Sequence, residues 1–490
     1  MDIGSLSAVF ALALAGYVLV KILVAIWSEW RSPLSKVPGP WLSKFTGAFW
    51  VASVVQGRAF RKAFEYSQTY GPITRVAPDH VIVSDRRSVH QVLVEFDLRK
   101  SQLYDKFRPS REGDSLFTFL DKKLYRQRRR LLSHGFSISY LRGLEPLMKK
   151  CVKSLEDVLD EQCRQTNGRA TIDAWNLMGC VTADIIGETA FGGSFDLVKN
   201  GQHPIRQRFS ESLKRGTMYQ LMPFLKYLPF MPPFQDPELR RLLDEVIERR
   251  RATQDKGPKQ DLLQILLDAH DQDPKGFPHI DVISEMLVFL IAGSDTPSGT
   301  MTFAIMFLMN HPEVYRRVVD EVRGVFPEPD SEVTDEQMAD LPYLNAILKE
   351  TLRVMNPTAS GLARQTDEDL ILAGHLIPAG TRVTANTLAL HWDEKEWPDP
   401  MKFVPERWLG EYKGMQHSEK GAWYPFAAGM RNCIGKQFAW TEMRLILASL
   451  LRRYDLHLIP NQSEEIVHFM VMHLKSGNYM VGIEPRKVNK

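Results

Sequence analysis

The sequence predicts a mainly α-helical body with a smaller β region, preceded by a single N-terminal transmembrane helix. Three observations carry that expectation. Residues 142–165, 173–191, 236–252, 279–311 and 335–355 repeat apolar side chains at helical spacing over lengths that suit full helices. Strand-like alternation is confined to short runs: Ile73, Arg75 through its aliphatic stem, Val81 and Val83 flank a turn at Pro78-Asp79, and further runs lie at 370–383 and near the C-terminus. Residues 3–27 form an apolar stretch broken only by Lys21, enough as a helix to cross a hydrocarbon core of about 30 Å.

Taken in order, the apolar stretch lacks the basic start of a cleaved signal peptide and exceeds its usual length. Trp27 and Trp30 occupy interfacial positions and Arg31 and Lys36 follow, which orients the chain beyond them to the cytosol. Val37-Pro-Gly-Pro40 then breaks the helix. Residues 1–30 thus read as an anchor in the endoplasmic reticulum membrane, 31–40 as a Pro-rich linker and 41–490 as one catalytic body without repeat or low-complexity segment. The 490-residue composition, 44% hydrophobic and 25% charged with net charge +3, is ordinary for a globular protein and too near neutral for a nucleic-acid binder. Cys151, Cys163, Cys180 and Cys433 lack paired or CxxC spacing, so neither a disulfide framework nor a zinc site is expected, in keeping with a reducing compartment. The sequon at Asn461-Gln-Ser463 would face the cytosol and reads as unused.

Phe426-Ala-Ala-Gly-Met-Arg-Asn-Cys-Ile-Gly435 is the strongest chemical statement in the chain, and it looks like a haem-thiolate pocket. A Cys433 thiolate would be an electron-donating axial ligand that favours O–O cleavage. Gly429 and Gly435 can adopt backbone conformations closed to other residues. Arg431 can fork onto a haem propionate, and Phe426 would cover the sulfur. The bland alternative is a small buried cysteine beside a turn.

Within the longest predicted helix, which ends at His311-Pro312, Ala292-Gly-Ser-Asp-Thr-Pro297 sets an acid and a hydroxyl in an apolar segment. Thr296 can bond the Ala292 carbonyl, and Pro297 deprives the Gly293 carbonyl of its partner, so a local groove is expected. Such a groove suits dioxygen and a water, with Thr296 as donor and Asp295 as proton relay. A kinked core helix with a self-satisfied Thr296 is the alternative. Glu350-Thr-Leu-Arg353 puts opposite charges on one helical face, and Pro405-Glu-Arg-Trp408 precedes the cysteine loop.

Together these motifs resemble the cytochrome P450 superfamily over essentially the whole body. The resemblance implies a helical prism with a smaller sheet region, haem b as cofactor, and a buried triad of Glu350, Arg353 and Arg407. It also implies that Arg129 and Arg364 hold haem propionates, with Tyr125 standing where Trp or His is usual and Trp408 where Phe is usual. The wording of Arg129-Arg-Leu-Leu-Ser-His-Gly-Phe136 and Asp184-Ile-Ile-Gly-Glu-Thr-Ala-Phe-Gly192 is similar to microsomal enzymes of filamentous fungi that act on aromatic or terpenoid compounds.

By the same resemblance Phe107, Leu116, Phe117, Phe119, Phe289, Leu290, Ser294, Ala359, Ser360, Leu362, His473 and Leu474 line the substrate pocket. The apolar, proline-broken run at 218–234 suits either the core or a membrane-dipping lid, which favours a lipophilic substrate. The implied reaction is monooxygenation with O2. Electrons would come from an NADPH-cytochrome P450 reductase, with cytochrome b5 as an alternative donor, since no nucleotide-binding Gly-rich turn is present. Lys122, Lys123, Arg126, Arg128, Arg130 and Lys436 read either as a solvated basic surface or as its docking face. A haem-thiolate isomerase or dehydratase and a haem sensor are the rival functions.

Overall fold

The computed structural model describes residues 12–13, 16–17, 20–21, 23–24, 26–108, 113–201, 228, 230, 237–252, 261–359, 361, 363–413 and 419–487. The chain forms two compact units, residues 1–99 with 360–390, and residues 100–359 with 391–490. Among the described residues no helix is long and apolar enough to cross a membrane. The 218–234 run lies outside the described residues except at Leu228 and Phe230, as do Ser360 and Leu362.

In the first unit, helices α1 (Ala48–Val55) and α2 (Ala59–Tyr70) lead into the predicted hairpin, β1 (Ile73–Ala77) against β2 (His80–Val83), with Ile73 opposite Val83. Strand β3 (Arg99–Lys100) ends the segment. The chain returns as β5 (Ala363–Gln365), a β6–β7 hairpin (Leu370–Leu372, His375–Ile377) and β8 (Arg382–Ala385). Strand β8 runs parallel to β2 and antiparallel to β5. Both strands of the first hairpin are buried throughout, so period-two alternation does not separate a wet face from a dry one. Arg75 enters this sheet as a buried cation rather than an aliphatic stem, held by Glu29 and the Pro78 carbonyl at 2.8 Å and by the Leu34 carbonyl at 3.1 Å.

The second unit is helical: α3 (Lys122–Ser133), α4 (Ile138–Gln165), α5 (Ala174–Ala190), α6 (Pro237–Ala252), α7 (Leu262–Gln272), α8 (His279–Asn310), α9 (Pro312–Val325), α10 (Asp335–Ala339), α11 (Pro342–Val354) and α12 (Lys436–Arg453). A sheet of order β4-β12-β9 (Ala170–Asp173, Met480–Pro485, Tyr454–Leu458) and the β10–β11 hairpin (Ile466–His468, Met472–Leu474) complete it. The predicted helices recur within a few residues, except that 335–355 splits in two. Pro342 disfavours helical geometry at Leu341 and opens α11 as its first residue, while a Thr334–Gln337 capping box starts α10.

Helix α8 is the buried axis of this unit and runs unbroken through Pro297. Its close approach to α5 depends on Gly293: a Cβ there would meet Ile186 Cδ1 at 2.3 Å and Cγ1 at 2.8 Å. Alongside, the Thr182 hydroxyl of α5 lies 3.1 Å from the Ser294 carbonyl and shares its proton with the Met178 carbonyl at 2.9 Å. The chemical segment of α8 is therefore braced from behind by α5.

Candidate active site

The cysteine loop closes on itself, with the Cys433 N–H donating to the Phe426 carbonyl at 2.9 Å. Between them the chain turns through Ala427 (φ 54°) and Gly429 (φ 68°) into a 3-10 turn at Gly429–Arg431. Gly429 thus needs the conformational freedom expected of it, but Gly435, at φ −82°, does not. Gly435 instead caps α12, and its N–H donates to the Cys433 sulfur. A Cβ at Gly435 would sit at ordinary contact distances, 3.9 Å from Phe136 and 4.0 Å from the sulfur.

Cys151, Cys163 and Cys180 are buried, while Cys433 is accessible. Burial pushes the thiol up, against the opposing pull of the Gly435 N–H, Arg129 and Lys436. The adjacent N-terminus of α12 also favours the thiolate. One accessible sulfur with cations beside it is a donor set that fits a haem, a single axial thiolate and anionic propionates.

Helix α3 packs on this loop. Arg129 donates to the Asn432 carbonyl and side-chain oxygen, both at 2.5 Å, and to the Tyr125 hydroxyl at 3.2 Å. Tyr125 in turn donates to the Met430 carbonyl at 3.2 Å. The Arg431 guanidinium lies 4.6 Å from the Tyr125 ring and Lys100 lies 4.7 Å from it. Phe426 is half-buried, 6.2 Å from Trp440. Arg364 is buried on β5 of the first unit.

Phe136 lies near both the loop and α8: its ring is 5.7 Å from that of Phe289 on α8, and its edge stands 3.9 Å from where a Cβ of Gly435 would be. On α8, Ala292 is exposed and Asp295 and Thr296 are half-exposed within an otherwise buried helix. The Thr296 hydroxyl donates to the Ala292 carbonyl at 2.8 Å, so its proton is committed and its oxygen is left to accept. Ser294 is buried and bonds the Leu290 carbonyl at 2.5 Å.

Behind the loop the expected triad is assembled, and its three side chains are completely buried. Glu350 receives Arg353 Nε and NH2 at 2.9 and 2.8 Å and Arg407 Nε at 3.1 Å. Trp408 Nε1 donates to the same carboxylate at 3.0 Å, which gives the indole a purpose that phenylalanine cannot serve. Trp408→Phe should therefore cost about 1.5–3 kcal/mol, the value of a hydrogen bond to a charged group. Thermal melting of the variant beside the parent measures it.

The pocket residues form separate clusters. Phe107 and Phe117 pack with Tyr104 at 6.3 and 5.1 Å, Leu116 and Phe119 are buried beside them, and Leu290 and Ala359 are buried. His473 sits 6.1 Å from Trp175, next to Phe303, with Leu474 buried on the same strand. Burial lowers the His473 pKa. Sequence reading missed Phe136, Trp175, Thr182 and Lys100, which are unremarkable until their long-range neighbours are known. Arg128 requires a correction. It is not part of a basic surface but is buried against Asp281 and Glu285, whereas Lys123, Arg126, Arg130 and Lys436 are exposed and Lys122 is half-exposed.

The family model of cytochrome P450 matches residues 37–482. The chain belongs to the cytochrome P450 family. It is 36% identical to the cytochrome P450 monooxygenase acrD of Aspergillus aculeatus over 98% of this chain and 96% of that one. The cytochrome P450 monooxygenase LUC2 of a Fusarium species is also 36% identical, over 93% of this chain and 89% of its own. In fold the chain is similar to the crystal structure of the cytochrome P450DA heme domain, with a TM-score of 0.79 at 22% identity, covering 92% of this chain and 98% of that one. This cytochrome P450 is thus a haem-dependent monooxygenase, mostly helical with a smaller sheet region.

Proposed function

We propose that this cytochrome P450 inserts one oxygen atom from O2 into a lipophilic secondary metabolite of terpenoid, steroid or aromatic type. One observation carries the reading: Cys433 is the accessible cysteine of the Phe426–Gly435 loop, and Phe136, the side chain nearest the Gly435 turn, packs its ring on Phe289 of α8, the helix that carries Asp295 and Thr296. Haem, when bound, supplies the iron at which dioxygen is activated. Cys433 would be its axial thiolate, and Arg129, Arg431 and Arg364 the propionate partners. Tyr125 would orient Arg129, and the Glu350–Arg353–Arg407 triad would hold the frame behind the loop. Thr296 would accept a hydrogen bond at the oxygen-binding side, since its own proton is given to Ala292, and Asp295 would pass protons inward from solvent. Thr296→Val keeps size and removes that acceptor. Product per NADPH should fall about 10²-fold, at the lower end for a proton-transfer group, while hydrogen peroxide rises. Unchanged coupling would leave Thr296 a helix-capping hydroxyl only.

In the same reading residues 1–30 anchor the chain in the endoplasmic reticulum membrane, with residues 31–40 as linker and the catalytic domain from 41 to 490 in the cytosol. The NADPH-cytochrome P450 reductase, or cytochrome b5, would dock on the surface carrying Lys122, Lys123, Arg126, Arg130 and Lys436. The apolar 218–234 run would be a second membrane contact. Deletion of residues 1–30 should consequently release the folded enzyme only in part. Full recovery in the supernatant without detergent would remove the second contact from the proposal.

A further inference from the structure

Arg128 and Arg129 are adjacent on α3 and reach in different directions. Arg129 grips Asn432, next to Cys433. Arg128, buried, reaches α8: NH2 to Asp281 at 2.6 Å and NH1 to Glu285 at 2.9 Å, with its guanidinium 4.0 Å from the Phe277 ring and 5.0 Å from that of Phe119. The same two acids hold the 113–119 loop. Asp281 accepts the Asp114 N–H at 2.8 Å and Glu285 accepts the Leu116 N–H at 2.7 Å. Gly113 is pressed on α8 so closely that a Cβ would stand 2.6 Å from Ser284 Oγ and 2.9 Å from the Ile280 carbonyl. From the other side Lys100 donates to the Leu116 and Phe117 carbonyls at 2.6 and 2.8 Å while lying over the Tyr125 ring.

We infer that Arg128, with Asp281 and Glu285, is a positioning clamp that locks the 113–119 loop to the helix bearing Thr296 and thereby fixes the substrate-facing wall. The inference rests on the proposed reading in one respect, that Leu116, Phe117 and Phe119 face substrate. The physical case is that one cation neutralises two buried acids, so that both can serve as strong acceptors for loop amides that would otherwise be buried without partners. Arg128 is thus a determinant of loop geometry and not a member of a solvent-facing charge run.

Burial pushes the Glu285 carboxyl up to about 7, against the pull of Arg128 from α3 and the Leu116 N–H from the loop, while Asp281 on its own helix adds to the rise. Asp114, the one acid of the loop, faces Asp281.

Two variants of the full-length holoenzyme test the clamp. Arg128→Lys keeps the charge and loses the fork. The triple variant Arg128→Met, Asp281→Asn, Glu285→Leu replaces the buried cation and both of its acids by uncharged side chains, a change that is often tolerated by the fold. In both, hydrogen exchange of the 113–119 amides, corrected for intrinsic rate, should quicken by about tenfold or more, the equilibrium factor of a lost charge-assisted hydrogen bond. Binding of 4-phenylimidazole, whose phenyl ring would extend toward that wall in the proposed reading, should weaken several-fold, while that of imidazole stays unchanged. A thiolate-type CO spectrum in the parent and in both variants shows that the haem site is intact, and its absence from the parent would defeat the functional reading instead. Unchanged loop exchange in either variant that retains that spectrum overturns the clamp.

Discussion

Cys433→Ser is expected to abolish monooxygenation and the thiolate-type spectrum of the reduced CO complex, with the protein still folded. A serine hydroxyl stays protonated where a thiol, beside the Gly435 N–H, Arg129, Lys436 and a helix N-terminus, can ionise. The iron would then lose its electron-donating ligand. Little packing is lost, because the side chain is accessible and the loop is closed by the backbone bond from Cys433 to Phe426. Circular dichroism and the CO spectrum, recorded on one preparation, separate ligation from folding. A variant with an unchanged thiolate-type spectrum would move the ligand elsewhere, and each other cysteine is buried.

Arg353→Leu should be the most damaging change to stability. The five N–H donors of its guanidinium are each engaged: two on Glu350, and the others on the carbonyls of His391, Pro400 and Lys402. Leucine would leave those carbonyls and part of a buried carboxylate without donors, at a cost of about 3–5 kcal/mol. Set against a total of about 5–15 kcal/mol for an ordinary domain, that is enough to deplete folded, haem-loaded protein. Arg353→Lys should not rescue it, since an ammonium lacks the planar fork. Melting midpoints of Arg353→Leu and Trp408→Phe, measured together, check the ranking. If Arg353→Leu melts no lower than Trp408→Phe, the buried-cluster argument fails.

The parts of the site that were legible in the sequence are those whose chemistry is local. The Phe426–Gly435 loop carries its ligand, turn and cation within ten positions. Glu350 and Arg353 share a face because they are three apart on a helix. Thr296 found its Ala292 carbonyl because the i−4 bond is a property of helix geometry, and Pro342 split a predicted helix through a steric rule that the sequence already contained. Helix lengths followed from apolar periodicity for the same reason.

Other features came only from partners far along the chain. Lys122-Lys-Leu-Tyr-Arg-Gln-Arg-Arg-Arg130 has the charge density of a solvated helix, and nothing within it marks Arg128 as the buried member; Asp281 and Glu285, more than 150 residues away, do so by taking its charge out of water's reach. The indole of Trp408 looks like a large neutral substitute for phenylalanine until Glu350 is found at hydrogen-bonding distance. Gly293 looks like one more residue beside a proline until Ile186 stands where its Cβ would be. In each case the local spacing is silent because burial and charge pairing are relations between elements, and folding brings those elements together so that most buried donors meet acceptors.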